Sequence, residues 1–286
     1  MSESSRPHVA ALPLDVSSDP SVNRERVLGA LDDAARDGVD LLVLPEMWPT
    51  SFTPDAGPEV LSVSREIVEE VAERAATLGL LVAGTAYGPP AGSAPGAQPG
   101  LPTNRLHLFD GGRDLLAYDK VHLFTPTAEH LTFAAGTRPC PVADTRIGRI
   151  SGLICYDLRF PELVREALRD RVDILLCPAQ WPRPRDLHWT RLARARAIDG
   201  LCYVVGANRG GKAVIGRRRM ELEFPGNACI VSPHGELLAE GDGGEERVAA
   251  TLDLEEVREL RKRLPLVRDE RPGLYREWLA PRGSER

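Results

Sequence analysis

Short apolar runs alternate along the chain with stretches whose apolar residues recur at helical spacing. His8–Val16 reads as a strand. Pro20, after Asp19, stands like a first helical residue, and Val22–Arg36 continues as a helix ending near Gly38. Asp40–Pro45 is a continuous apolar run, as expected of a strand buried on both faces. Glu59–Leu78 places Val60, Val63, Ile67, Val71, Ala75 and Leu78 on one helical face, and Leu80–Tyr87 returns to strand. Pro89–Pro102 is rich in Pro, Gly and Ala and reads as a flexible surface loop. Leu106–Phe109 and Leu115–Lys120 flank Gly111-Gly112 as a hairpin.

The second half repeats the alternation. Strands are expected at Arg149–Cys155, Asp173–Pro178, Tyr203–Ala207 and Arg247–Asp253, with helices at Pro161–Arg169, Asp186–Asp199 and Leu254–Arg263. Ala228–Ser232 and Glu236–Ala239 flank Pro233-His234-Gly235 as a second hairpin. Strands alternating with helices, with antiparallel hairpins at the middle and the end, predict a layered α/β domain with mixed sheets. No repeat of fixed period is present.

Composition narrows the function classes. A chain of 286 residues, 42% hydrophobic, can bury a sizeable core. The net charge of −6 gives no reason to expect nucleic acid or an anionic membrane as partner. No apolar run approaches the roughly 18 residues of a spanning helix, and the start MSESSRPHVAALPLD shows no signal-peptide pattern. Cys140, Cys155, Cys177, Cys202 and Cys229 are odd in number and dispersed, which suggests neither a disulfide framework nor a zinc site and fits a reducing cytoplasm. Scattered histidines argue against a metal centre, and no GxxxxGK[ST] or GxGxxG stands between a strand and a helix.

Three segments put a reactive side chain at a strand end, where α/β folds assemble sites from distant parts of the chain. In LPEMW, Glu46 follows an apolar strand, and apolar surroundings raise a carboxyl's pKa toward usable general-base range. In YDKVHLF, Lys120 sits among apolar and aromatic residues, where an ammonium needs a carboxylate or a developing oxyanion. In GLICYDLRFPE, Cys155 ends an apolar strand just before a helix. Such an elbow exposes a nucleophile beside free backbone N–H groups. Each segment alone also reads as ordinary: a solvated glutamate, a surface lysine, a small buried thiol.

Taken together, LLVLPEMW, YDKVHLF and GLICYDLRFPEL, in that order, resemble the nitrilase (carbon–nitrogen hydrolase) superfamily. CPAQWPRPRDLHWTRLARARAIDGLCYVVGANRGG, FPGNACIVSPHGELLAEG and the final LRKRLPLVRDERPGLY resemble its later segments. The resemblance runs from about His8 to Tyr275. It implies a single domain over residues 8–275, with residues 1–7 and 276–286 as terminal extensions. It also implies a four-layer α-β-β-α sandwich of two mixed β-sheets, a homodimer or larger homo-oligomer, and no metal or organic cofactor. Glu46 would be general base, Cys155 nucleophile, and Lys120 with the N–H of Tyr156 the oxyanion donors. Glu129 in TAEH matches a second glutamate that many members place near the lysine, where it would orient the ammonium or the substrate; a solvated loop carboxylate is its structural alternative.

CYDLRFPE and YDKVHLFTPTAEH look most like the omega-amidase-like branch, which cleaves the terminal amide of small 2-oxo acids such as 2-oxoglutaramate and 2-oxosuccinamate. Such a substrate needs a cation for its free carboxylate. Arg159 is a candidate, with an ion pair to Glu162 as its structural alternative; Arg183 and Arg185 are further candidates, and Tyr156 would shape the acyl pocket. The basic PRPRD and the segment GGKAVIGRRRMELE, read as a loop with a solvated Arg217-Arg218-Arg219 run, depart from that branch. An N-carbamoyl amino acid amidohydrolase, a deaminated glutathione amidase and a nitrilase would use the same three residues. A Cys-His hydrolase with His122, His130 or His188 as base, or a retired family member acting as a binding scaffold, are the readings from other classes.

Overall fold

The computed structural model describes residues 6–53, 57–90, 100–241, 244 and 246–279. The first half runs β1 (His8–Ala11), α1 (Pro20–Arg36), β2 (Leu41–Val43), α2 (Pro58–Leu78), β3 (Leu81–Pro90), β4 (Pro102–Asp110), β5 (Arg113–Asp114) and β6 (Tyr118–Asp119). The second half begins with β7 (Ala143–Thr145), β8 (Gly148–Gly152), α3 (Pro161–Arg169), β9 (Ile174–Ala179), α4 (Asp186–Gly200) and β10 (Tyr203–Asn208). It continues through β11 (Gly210–Ile215), β12 (Met220–Pro225), β13 (Cys229–Val231), β14 (Leu237–Glu240), β15 (Val248–Thr251), α5 (Leu254–Arg263), α6 (Leu266–Asp269) and α7 (Pro272–Leu279).

Local chemistry sets the helix ends. Asp19 caps α1 by accepting from Ser21 N at 2.9 Å, and Pro20 fills the first helical position, where no N–H is needed. α2 begins on Pro58 and stops at Gly79, whose left-handed φ of 67° suits a residue without Cβ.

Two mixed sheets form the middle layers. In one, β1, β2 and β3 are parallel, while β15 and β4 flank them antiparallel. In the other, β8, β9 and β10 are parallel, with β7 at one edge and the β13–β14 hairpin at the other. Residue alternation assigns the layers. Ala10, Leu42, Leu44 and Val82 face Val27, Leu31, Ile67, Val71 and Ala75 of α1 and α2. Their neighbours Val9, Ala11, Leu41, Val43, Leu81 and Ala83 join a buried cluster with Ile150, Ile174 and Val204 of the second sheet. That cluster continues to Val164, Ala167, Trp189, Ala193 and Ala197 of α3 and α4. The order is α-β-β-α, as anticipated. Gly152 marks how closely the sheets approach: a Cβ there would lie 2.3 Å from Leu106 Cδ2.

Several expectations change in detail. The strand from His8 ends at Ala11, and the chain to Val16 continues without regular pairing apart from one bridge at Asp15. The segment after Gly111-Gly112 forms only two short pieces, β5 and β6, both paired with β4. Pro89, Pro90 and Pro102 belong to strands, and residues 91–99 of the expected Pro-rich loop lie outside the described residues. GGKAVIGRRRMELE is not a loop but the β11–β12 hairpin, in register Gly210↔Pro225 to Ile215↔Met220, with the exposed arginines at its turn. Its alternation of exposed Lys212, Val214, Glu221 and Glu223 with less exposed neighbours is the period-2 signal of a strand pair with one solvated face.

Candidate active site

The ends of both sheets meet at one pocket. Glu46 follows β2, Lys120 follows β6, and Cys155 opens a 3-10 turn just beyond β8. Strain gathers around these positions. Cys155 itself has φ of 46°, Met47 after Glu46 has 48°, and Ala128 before Glu129 has 59°. Non-glycine residues in the left-handed region cost of order 1–3 kcal/mol each and persist where the surroundings over-determine them.

Glu46 is fully buried, but its neighbours are not the apolar ones that its sequence context suggests. Its Oε1 accepts from Lys120 Nζ at 2.7 Å and from Asn104 Nδ2 at 2.8 Å, and its Oε2 accepts from Gln180 N at 2.9 Å. Gln180 Nε2 also donates to Glu46 O at 2.8 Å, so one residue grips both ends of the glutamate. Lys120 donates further to Glu129 Oε1 and Oε2 at 2.9 and 3.0 Å. Glu129 is steadied by Phe124 N, which donates to Oε2 at 2.6 Å. Glu129 is therefore a buried partner of the lysine, not a solvated loop carboxylate.

One ammonium between two carboxylates in a dry site sets the electrostatics. Burial opposes the charge on Lys120, but Glu129, Glu46 and Cys155 together hold it well above the ordinary lysine value. Burial raises Glu129, Lys120 opposes that rise, and Glu46 adds to it. Burial also pushes the Cys155 thiol well above its usual range; Glu46, its hydrogen-bond partner, pushes the same way and Lys120 opposes. A thiol so placed keeps its proton until a base removes it during reaction, and the base in contact is Glu46.

Asp157 fastens the elbow to the lysine segment. It accepts from Ile154 N at 3.2 Å, Tyr118 OH at 2.8 Å, and His122 N and Nδ1 at 2.9 and 2.8 Å. His122 lies flat on Phe160. It is thus committed to Asp157, and no histidine lines the pocket among the described residues. That removes the geometric basis for a Cys-His pair.

The carbon-nitrogen hydrolase family model matches residues 8–262. The chain belongs to the carbon–nitrogen hydrolase family. The chain is 36% identical to omega-amidase YafV of Escherichia coli K12 over 234 residues, which cover 81% of this chain and 84% of that one. It is 33% identical to the 2-oxoglutaramate amidase of Bacillus subtilis 168 over 271 residues, covering 93% and 98%. These relatives put it on the omega-amidase-like branch of the nitrilase superfamily. The crystal structure of an amidase from Nesterenkonia sp. shares the fold, with a TM-score of 0.78 at 24% identity over 96% of each chain.

In this carbon–nitrogen hydrolase the pocket wall and mouth are built from Phe52, Phe124, Tyr156, Trp181, Pro182 and Ile215, with Arg159 and Arg185. Tyr156 meets Phe124 and Phe160 edge-on, at centroid distances of 5.1 and 5.4 Å. Among the described residues Arg159 meets no carboxylate, Glu162 included. It lies 4.7 Å from the Trp181 ring centroid and donates to His188 Nδ1 at 3.2 Å. Arg185 lies 5.5 Å from the Phe124 centroid, again without a carboxylate. Arg183 is a correction to the sequence reading. It points away from the pocket, exposed, and pairs with Glu223 of β12 at 2.6 Å. Within the turn 183–185 successive residues face different directions, so only Pro182 and Arg185 reach the pocket.

Sequence reasoning passed over Asn104, Gln180 and Arg209. Arg209 is fully buried and donates to Ser51 Oγ at 3.0 Å, Gln180 Oε1 at 3.2 Å and Val16 O at 2.7 Å. Burial lowers it to about 10, with Asp15 opposing. A charged residue ending the apolar strand YVVGAN was the available signal. No helix among the described residues is long and apolar enough to cross a membrane.

Proposed function

We propose that this enzyme hydrolyses the terminal amide of small dicarboxylic acid monoamides, 2-oxoglutaramate and 2-oxosuccinamate being the model substrates, and releases ammonia. The observation that carries this reading is the division of charge in the pocket. The buried cation on the floor is matched by carboxylates, whereas the arginines at the mouth are matched by none. A substrate with an amide at one end and a carboxylate at the other complements both. The names of the relatives point the same way.

The floor supports a two-step mechanism. Glu46 takes the thiol proton as Cys155 Sγ bonds to the amide carbon, and the carbonyl electron pair moves onto oxygen. Lys120 Nζ and the N–H of Tyr156 receive that oxyanion; one such donor is worth roughly 3–4 kcal/mol in the transition state. Collapse breaks the C–N bond, and Glu46 returns its proton to the leaving ammonia. Water, deprotonated by Glu46, then attacks the thioester, and the thiol leaves with that proton. Glu129 keeps the Lys120 ammonium charged and aimed. Arg159 and Arg185 take the distal carboxylate, Arg183 stands outside this role, and Tyr156 shapes the acyl wall.

Five free cysteines fit a reducing cytoplasm. Exposed Leu187 and Ile198 on α4 fit helices packed between subunits of a homo-oligomer. The test is an ammonia-release screen over 2-oxosuccinamate, succinamate, N-carbamoyl amino acids, deaminated glutathione and aliphatic nitriles. The carboxylate monoamides should lead in kcat/KM by at least about tenfold, or 1.4 kcal/mol. A nitrile or N-carbamoyl compound at the head of that ranking would overturn the assignment.

A further inference from the structure

Two consecutive residues at the end of β10, Asn208 and Arg209, reach two consecutive residues beyond the end of β9, Gln180 and Trp181. Asn208 Oδ1 accepts from Trp181 N at 2.6 Å, and its Nδ2 donates to Trp181 O at 3.1 Å and to Asn227 Oδ1 at 2.9 Å. Trp181 in turn supports both arginines of the mouth. Its ring lies under Arg159, and its Nε1 donates to Arg185 O at 2.7 Å. Arg209 instead holds Gln180 Oε1, which leaves the Gln180 amide and backbone N–H to grip Glu46.

We infer that Asn208 and Arg209 are positioning residues with separate duties: Asn208 sets the carboxylate-recognising mouth through Trp181, and Arg209 sets the general base through Gln180. Neither lines the pocket. Both are fully buried with their polar groups bonded, so each acts on the reaction only through the residues it holds, and of these Trp181 for Asn208 and Gln180 for Arg209 line the pocket. The parallel pairing of β9 with β10 puts Asn208 beside Ala179, so the two strand ends stay in step and the two duties stay apart. The Asn208 duty rests on the carboxylate substrate proposed above; the Arg209 duty rests on Glu46 alone.

The experiment is the rate of Cys155 alkylation, followed by peptide mass spectrometry across pH, with iodoacetamide and iodoacetate. The reagents match in size and differ in charge, and neither depends on the natural substrate. In the parent enzyme iodoacetate should gain on iodoacetamide relative to free cysteine. Asn208→Ala should cut the iodoacetate rate about tenfold, as a lost charge-assisted contact does, and spare iodoacetamide. Arg209→Lys should slow both reagents equally, by up to about a hundredfold, the cost of roughly an ångström of misplacement, and shift the pH profile. Arg209→Met, lacking any donor, should go further than Arg209→Lys. Native thermal midpoints within a few degrees keep these readings apart from unfolding. If both variants slow both reagents in the same proportion with unmoved profiles, the residues are merely structural and the inference fails. If the parent shows no gain for iodoacetate, the carboxylate reading fails, and the Arg209 result still decides the general-base duty.

Discussion

The floor and the mouth of the pocket use cations in opposite ways. On the floor, Lys120 is almost wholly buried and touches two carboxylates. At the mouth, Arg159 and Arg185 are half-buried, lie over aromatic rings and touch none. Water cannot satisfy a buried ammonium, so the protein must supply its anions permanently. A half-buried guanidinium over a ring is partly solvated and partly held, which leaves its donors available to an incoming carboxylate. Arg183, one turn-residue away from Pro182, shows the third case: paired outward with Glu223 and removed from the site.

Removing the floor cation should have the largest effect. Lys120→Ala leaves Glu46 and Glu129 buried together without their counter-charge, which typically costs about 3–5 kcal/mol of stability. It also deletes an oxyanion donor, so kcat should fall by about a hundredfold to a thousandfold. Denaturant melts and steady-state assays check both, and a near-native rate would restore the Cys-His alternative. Glu129→Gln keeps the shape and removes one of the two carboxylate charges that face Lys120. A loss of about tenfold to a hundredfold in kcat, with KM little changed, is expected for a displaced catalytic group. Unchanged kcat/KM would reduce Glu129 to a structural carboxylate.

The mouth should respond differently. Arg159→Ala should raise KM for succinamate by about tenfold to a hundredfold, the worth of hydrogen bonds to a charged group, and leave butyramide, its uncharged counterpart, unaffected. An equal loss on both amides would make Arg159 a wall rather than a recognition element. Arg183→Ala should change either substrate by no more than about twofold and stability by no more than about 1 kcal/mol, as for other exposed ion pairs. A large substrate-selective effect there would erase the distinction between inward and outward arginines.

The α/β alternation was legible in the hydrophobic pattern, whereas the layer order and the roles of Glu46, Lys120, Cys155 and Glu129 were legible through the family resemblance, because each segment alone also reads as ordinary. LLVLPEMW ends a two-face-buried strand, and GLICYDLRFPE carries a strand into a helix start at Pro161. α5 runs over Leu254–Arg263, the span its pattern predicts, with Asp253 capping through Glu255 N. The supporting polar shell was not legible. Asn104 reaches Glu46 across 58 residues and Gln180 across 134, and neither has a local pattern that announces a distant partner. The environment of Glu46 failed for the same reason: its sequence neighbours are apolar, but its spatial neighbours are donors. The β11–β12 hairpin was obscured by the Arg217-Arg218-Arg219 run, although Gly216, with φ of 64°, opens the same reversal. Arg183 and Arg185 are two residues apart and chemically identical, so only the path of the turn separates them.

The proposed mechanism passes the acyl group through Cys155. Turnover of succinamate with added hydroxylamine, measuring ammonia and hydroxamate together, tests this most directly. The parent enzyme should form succinyl hydroxamate in rising proportion to hydroxylamine, and the Cys155→Ala enzyme, still folded, should release neither product. Ammonia release by folded Cys155→Ala would contradict the account at its centre.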